Sequence, residues 1–151
     1  MGVRPIQKYN RRRLANGSSI VVTSVKRSQL QRAFVSVVDD DESVRDSLPR
    51  LLKELGFEGR AFSSGNEFLS SDCVESTRCL ILDVAMPDMN GFDVQRELRL
   101  RGRKFPIIFI TASEDDAVRA MAFDQGAAGF LYKPFSDTAL LSAIEAALGD
   151  K

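Results

Sequence analysis

The sequence predicts an α/β fold, a doubly wound, five-stranded parallel sheet with helices on both faces. Three observations carry this. From Phe34 onward five apolar or alternating runs, near 34–38, 57–62, 79–82, 107–110 and 129–132, take turns with segments of helical periodicity. Such alternation implies parallel strands joined by right-handed crossovers. Four of the five runs also stop at polar side chains of complementary kind: Asp39-Asp40, Asp83, Thr111 and Lys133. In a doubly wound sheet the carboxyl ends of the strands line one crevice.

Strand one is predicted at about 34–38. Helix one starts near Asp41-Glu42, acids that suit a helix N-terminus, and carries Val44, Leu48, Leu51, Leu52 and Leu55 at three-to-four spacing. Gly56 ends it in the C′ position. Pro49 argues against this helix, since it removes a backbone donor and should kink it, but the leucine stripe runs on past it. Strand two, 57–62, is weaker and alternating. Ser64 followed by Glu67 has the capping-box spacing for a short helix holding Phe68 and Leu69. Strand three, about 79–82, leads into a loop punctuated by Met86-Pro87 and Asn90-Gly91. Helix three follows over 91–100 with Phe92, Val94 and Leu98. Pro106 precedes strand four, helix four covers 114–124, strand five is 129–132, and helix five, 136–148, carries Leu140, Leu141, Ile144 and Leu148.

The 151 residues suffice for one domain with a remainder. A hydrophobic share of 44% and a charged share of 28% fit a soluble globular protein. The zero net charge averages two unlike parts. Residues 1–33 hold eight of the 21 basic residues, including Arg11-Arg12-Arg13, and no acid, which leaves 13 bases against 21 acids beyond them. Residues 1–33 are expected to be a disordered basic tail, and 34–151 the folded domain. Cys73 and Cys79 are too few for a disulfide framework; Cys79 opens a strand as a core residue and Cys73 falls in a polar loop. No apolar run nears the roughly 18 residues of a membrane span, and no signal-peptide core is present, so a reducing cytoplasm is expected. With no histidine in the chain, His-based triads and His-ligated metals are excluded.

The chemistry follows from the strand ends. Asp39, Asp40 and Asp83 crowded together repel one another and want a cation, and all-oxygen ligation favours a hard ion such as Mg²⁺. A metal-held carboxylate beside the Thr111 hydroxyl and the Lys133 ammonium has the charges that phosphoryl transfer needs. Asp83 is then the reacting group, attacking phosphorus to become an aspartyl phosphate. Singly, each residue has an ordinary explanation: an acidic helix start for 39–42, an N-cap for Thr111, a solvated strand end for Lys133. The conjunction makes the site.

At Val37-Val38-Asp39-Asp40-Asp41, Asp83 with Met86-Pro87 and Asn90-Gly91, Ile110-Thr111-Ala112 and Lys133-Pro134-Phe135 the sequence resembles the receiver domain of bacterial two-component response regulators. Val44-Arg45-Asp46-Ser47-Leu48 and Gly56-Phe57 make it similar to the FixJ-like branch, over about 34–148. The resemblance implies a flavodoxin-like sheet of order 2-1-3-4-5 and a cytoplasmic switch phosphorylated on Asp83 by a sensor histidine kinase or phosphotransfer protein. It implies Mg²⁺ held directly by Asp40, Asp83 and the Ala85 carbonyl, with Asp39 acting through water. Lys133 contacts the phosphoryl group, Thr111 closes onto it, and the Lys133-Pro134 bond is cis. The switch aromatic falls on Phe130, where a Tyr is frequent. The surface formed by helix four, strand five and helix five should change on phosphorylation and support a homodimer or partner contact. Such a domain catalyses only its own phosphorylation and dephosphorylation, and neither nucleic acid nor membrane is its direct partner. FixJ-like regulators usually continue into a helix-turn-helix output domain, so a stand-alone regulator and a piece of a longer one are both consistent with the chain.

Other functions fit less well. A dehalogenase-like phosphatase also uses an Asp nucleophile and Mg²⁺ but needs a second Asp where Ala85 stands. A flavodoxin-like cofactor binder wants a phosphate cradle after strand one, where four acids would repel phosphate. A binding module that had lost phosphorylation would not be expected to keep every site residue.

Overall fold

The computed structural model describes residues 33–149. The expected basic tail, Ala33 excepted, lies outside the described residues. Along the chain the elements are β1 (Phe34–Val38), α1 (Glu42–Glu54), β2 (Glu58–Phe62), α2 (Gly65–Leu69), α3 (Cys73–Ser76), β3 (Cys79–Asp83), α4 (Gly91–Leu100), β4 (Ile107–Thr111), α5 (Asp116–Asp124), β5 (Gly129–Tyr132) and α6 (Asp137–Gly149). All five strands pair in parallel in the order β2-β1-β3-β4-β5.

Burial explains why the strands read so clearly. β3 and β4 are buried at every position, so both of their faces must be apolar. Edge strand β2 alternates instead, with Glu58 and Arg60 exposed and Phe62 buried. On one face Phe62, Leu80, Leu82 and Phe109 pack with Phe68, Val94, Leu98 and Ala122 from α2, α4 and α5. On the other, α1 lays Leu52 against Gly59, and α6 brings Ala143 beside Gly129. Helices therefore cover both faces.

Local chemistry fixes the element ends. Asp41 caps α1, its Oδ1 accepting from Ser43 N at 3.0 Å and Ser43 Oγ at 2.8 Å. The helix is continuous through Pro49. Ser64 caps α2 by accepting from Glu67 N at 3.0 Å, but Glu67 reaches back to Ser63, accepting from its N–H at 2.6 Å. The return bond of the expected capping box thus lands one residue early. Helix α5 begins two residues later than predicted, because Asp115 is its N-cap and accepts from Ala117 N.

One element departs from expectation. Cys73 lies in the one-turn helix α3 and is buried, not in a polar loop. The turn is held from outside: Thr77 Oγ1 donates to Cys73 O at 2.7 Å and lies 2.7 Å from Ser36 Oγ on β1. Four residues flanked by Ser71, Asp72 and Thr77 are too short to show helical periodicity.

Candidate functional site

The four polar strand ends meet at the carboxyl edge of the sheet. Val38 pairs with Leu82, Asp83 with Ile110 and Thr111 with Tyr132, so Asp39, Asp83, Thr111 and Lys133 end neighbouring strands at one level. Thr111 and Lys133 are tied directly, for Lys133 N donates to Thr111 O at 2.7 Å. The Lys133-Pro134 bond is cis.

Carboxylate oxygens of Asp39, Asp40 and Asp83 lie within 4.8 Å of one another. Asp39 and Asp83 are buried, whereas Asp40 is exposed. Both oxygens of the Asp39 carboxylate are engaged within the protein: Oδ1 accepts from Asp41 N at 2.9 Å and Oδ2 from Lys133 Nζ at 2.9 Å. Lys133 Nζ also stands 3.8 Å from Asp83 Oδ1. The acidic run thus divides its work, with Asp41 capping α1, Asp39 paired to Lys133, and Asp40 open to solvent.

Burial pushes the Asp83 carboxyl up to about 7; the Asp39 charge adds to this, and Lys133 opposes it. Burial also works against the Lys133 ammonium, but its hydrogen bond to Asp39 and the charges of Asp83, Asp39 and Asp41 outweigh that, and its pKa is raised. A cluster that holds a carboxyl near neutrality lacks positive charge. Three carboxylates with no nitrogen or sulfur donor fit a hard divalent cation. The Ala85 carbonyl, two residues beyond Asp83, accepts no backbone hydrogen bond among the described residues.

Asn90 and Gly91 hold the loop after Asp83 closed. Asn90 Oδ1 accepts from Asp93 N at 2.9 Å, and Asp93 Oδ2 accepts from Asn90 N at 3.1 Å, a complete capping box. Gly91 N donates to Val84 O at 2.9 Å. A Cβ at Gly91 would lie 2.6 Å from the Asp83 carbonyl oxygen, so the close approach requires glycine.

Thr111 is buried, and its Oγ1 accepts from Ser113 N at 3.1 Å; it holds the β4 exit loop instead of capping α5. Phe130 is half-buried on the α5 side, its ring 6.4 Å from Phe123 and 5.3 Å from Tyr132. Sequence reasoning missed Arg45, whose Nη1 donates to Asp39 O at 3.1 Å. Its signal was available: helical side chains lean toward the N-terminus, so an arginine in the first turn of α1 reaches back to the acids before it.

The family described as the response regulator receiver domain matches residues 35–145. Response regulator protein TodT of Pseudomonas putida is 39% identical over 126 residues, 83% of this chain and 56% of its own. Nodulation protein W of Bradyrhizobium diazoefficiens is 45% identical over 116 residues, 77% of this chain and 51% of its own. The crystal structure of FixJ-N superposes with a TM-score of 0.71 at 36% identity, covering 79% of this chain and 95% of that one. The chain spans about half the length of the curated relatives it matches. Among the described residues no helix is long and apolar enough to cross a membrane.

Proposed function

The chain belongs to the response regulator receiver family, and from that premise we propose that it is a phosphoacceptor switch that takes a phosphoryl group on Asp83 from a sensor histidine kinase or phosphotransfer protein in the cytoplasm. The observation that carries this reading is the setting of Asp83: a buried carboxylate within 4.8 Å of the Asp39 and Asp40 carboxylate oxygens and 3.8 Å from Lys133 Nζ. The chain has no histidine, so the donor's phosphohistidine belongs to the partner.

Asp40, Asp83 and the Ala85 carbonyl would hold Mg²⁺ directly, and Asp39, whose oxygens already serve Lys133 and Asp41, would act through water. When bound, Mg²⁺ supplies the positive charge that favours an ionised Asp83 and offsets charge on the phosphoryl oxygens. An Asp83 oxygen attacks phosphorus, the phosphorus–nitrogen bond to the donor histidine breaks, and an acyl phosphate forms on Asp83. Lys133 needs only a small movement from its place beside Asp83 to pair with a phosphoryl oxygen. The Thr111 hydroxyl, now an acceptor for Ser113 N, keeps its own proton to donate to another phosphoryl oxygen. Burial of Asp83 limits the water that would otherwise hydrolyse the acyl phosphate.

Labelling with acetyl phosphate tests the assignment. The parent protein should take up phosphoryl group in Mg²⁺ and not in EDTA, and Asp83→Asn should take up none that is stable. Undiminished labelling of that variant would place the acceptor elsewhere.

A further inference from the structure

Asp40 is the member of the acidic cluster whose side chain nothing holds among the described residues. Asp39 is fixed by Asp41 N and Lys133 Nζ, and Asp41 by the N–H and hydroxyl of Ser43. The Asp40 side chain is exposed, accepts no hydrogen bond and forms no ion pair among the described residues. One of its oxygens nevertheless lies within 4.8 Å of oxygens of Asp39 and Asp83. Carboxylates so close repel one another, so something other than the side chain keeps Asp40 turned into the cluster. What remains is the main chain on either side of it.

Arg45 holds that main chain on both sides. Its own N–H donates to Asp41 O at 3.1 Å, and its Nη1 donates to Asp39 O at 3.1 Å. Asp39 O belongs to the planar peptide group that joins Asp39 to Asp40, so the guanidinium fixes the plane from which Asp40 departs. Asp39 N is tied as well, donating to Phe62 O on β2 at 3.1 Å. Simpler roles do not account for the guanidinium. Arg45 lies in the first turn of α1, the end at which the helix dipole disfavours a cation. Asp41 and Glu42 stand at the helical spacings that favour ion pairs, yet Arg45 forms none among the described residues. Glu67 is held below the usual carboxylate range chiefly by the N–H and hydroxyl of Ser63, with the charges of Arg45 and Arg60 adding less. A half-buried cation that passes over these acids for a neutral carbonyl is placed for that carbonyl.

We propose that Arg45 is a positioning residue of the metal site: it presets the Asp40 carboxylate beside Asp83 by clamping the peptide groups before and after Asp40. The inference rests on the reading of Asp40 and Asp83 as direct Mg²⁺ ligands. It carries a sign that charge alone would reverse. A nearby cation repels Mg²⁺, so its removal should tighten binding if charge were its whole effect. Removing a clamp loosens a ligand and should weaken binding. Mg²⁺ demands near-octahedral geometry whereas Ca²⁺ accepts flexible coordination, so a loosened ligand costs Mg²⁺ more. A change of charge would move both ions alike.

Arg45→Met keeps an apolar stem without the donors, and the buried Leu48 and Leu52 still hold α1 to the sheet. Arg45→Ala, a strong helix former, is a second form of the same test. The full chain and both variants are compared by amide and carbonyl NMR in EDTA, then titrated with Mg²⁺ and, separately, with Ca²⁺ at fixed ionic strength. Without metal, the variants should keep the parent spectrum except around residues 39–41 and 45, with the Asp39 carbonyl carbon among the shifted signals. With metal, the Mg²⁺ Kd should rise about tenfold, the lower end of what losing a supporting partner costs a metal site, and the Ca²⁺ Kd should rise clearly less. An Mg²⁺ affinity unchanged or improved in the variants, or equal losses for both ions, would overturn the positioning role and leave the metal site standing. A parent chain without saturable Mg²⁺ binding would remove the metal site itself and this inference with it.

Discussion

Lys133 Nζ donates to Asp39 Oδ2 at 2.9 Å across 94 residues of sequence. Asp39 has no exposed side-chain surface and the Lys133 side chain keeps 18% of its own. Removing one member of a buried pair leaves the other uncompensated. Lys133→Met should therefore destabilise the metal-free domain by about 3–5 kcal/mol, measured by urea unfolding in EDTA. A loss below about 1 kcal/mol would show that the pair behaves as a surface contact.

The raised Asp83 pKa sets a pH dependence. The unfolded carboxyl titrates near its ordinary 3.8 and the folded one at about 7, so between these values the folded state holds the extra proton. Stability then falls as pH rises through that window and levels above it. Lys133, raised from an ordinary 10.5, titrates outside the window. Thermal melts in EDTA from pH 5.5 to 8, above the range in which Glu67 and Asp41 with their lowered pKa values oppose it, should show this decline, and Asp83→Asn should lack it and melt higher than the parent above neutrality. A parent curve rising steadily to pH 8 would contradict the assignment.

Mg²⁺ should raise the melting temperature above neutrality, because binding to the folded state alone stabilises it and relieves the acidic repulsion. Asp40→Ala should weaken Mg²⁺ binding more than Asp39→Ala, since Asp40 is solvent-facing and has no ion pair among the described residues, while both Asp39 oxygens are already hydrogen-bonded. Calorimetric titration of the two variants separates these cases. Equal losses would make Asp39 a ligand of the same rank.

The strands and their polar ends were legible because burial on both faces demands continuous apolar runs, and an Asp, Thr or Lys that stops such a run stands out. Asp83, Thr111 and Lys133 could be placed on one edge for that reason. The helix-one stripe survived Pro49 because Leu48 and Leu52 flank it on the buried face. Other features depend on partners distant in sequence and leave no local pattern. Cys73 is buried because Thr77 reaches Ser36, and Gln95 because it finds the end of α5. Gly91 read as a turn former, whereas its role is the approach of α4 to the Asp83 carbonyl.

The proposed switch rests on Thr111 and Phe130, which lie on adjacent strands with Phe130 opposite Phe109. A phosphoryl group on Asp83 adds about two negative charges and strong acceptors, so the Thr111 hydroxyl gains a partner and turns toward it. That movement frees volume at the end of β4 on the face where Phe130 packs. Phe130 has no hydroxyl to keep hydrated, so the expected direction is inward, away from Phe123 and Tyr132. Phe123 and Met121 on α5 are already 41% and 42% exposed, and loss of the Phe130 contact uncovers Phe123 further. The α5–β5–α6 surface, with Asp115, Asp116, Arg119 and Asp124 around these side chains, is then expected to form a homodimer or a partner contact. Beryllofluoride, which stands in for the phosphoryl group on Asp83, should produce a faster-sedimenting species and NMR shifts at Phe123, Phe130 and Tyr132. Thr111→Val keeps the shape of the side chain without its hydroxyl, so it should still bind beryllofluoride but show neither change. A monomer whose shifts stop at the Asp83 pocket would remove the switch while leaving phosphorylation intact.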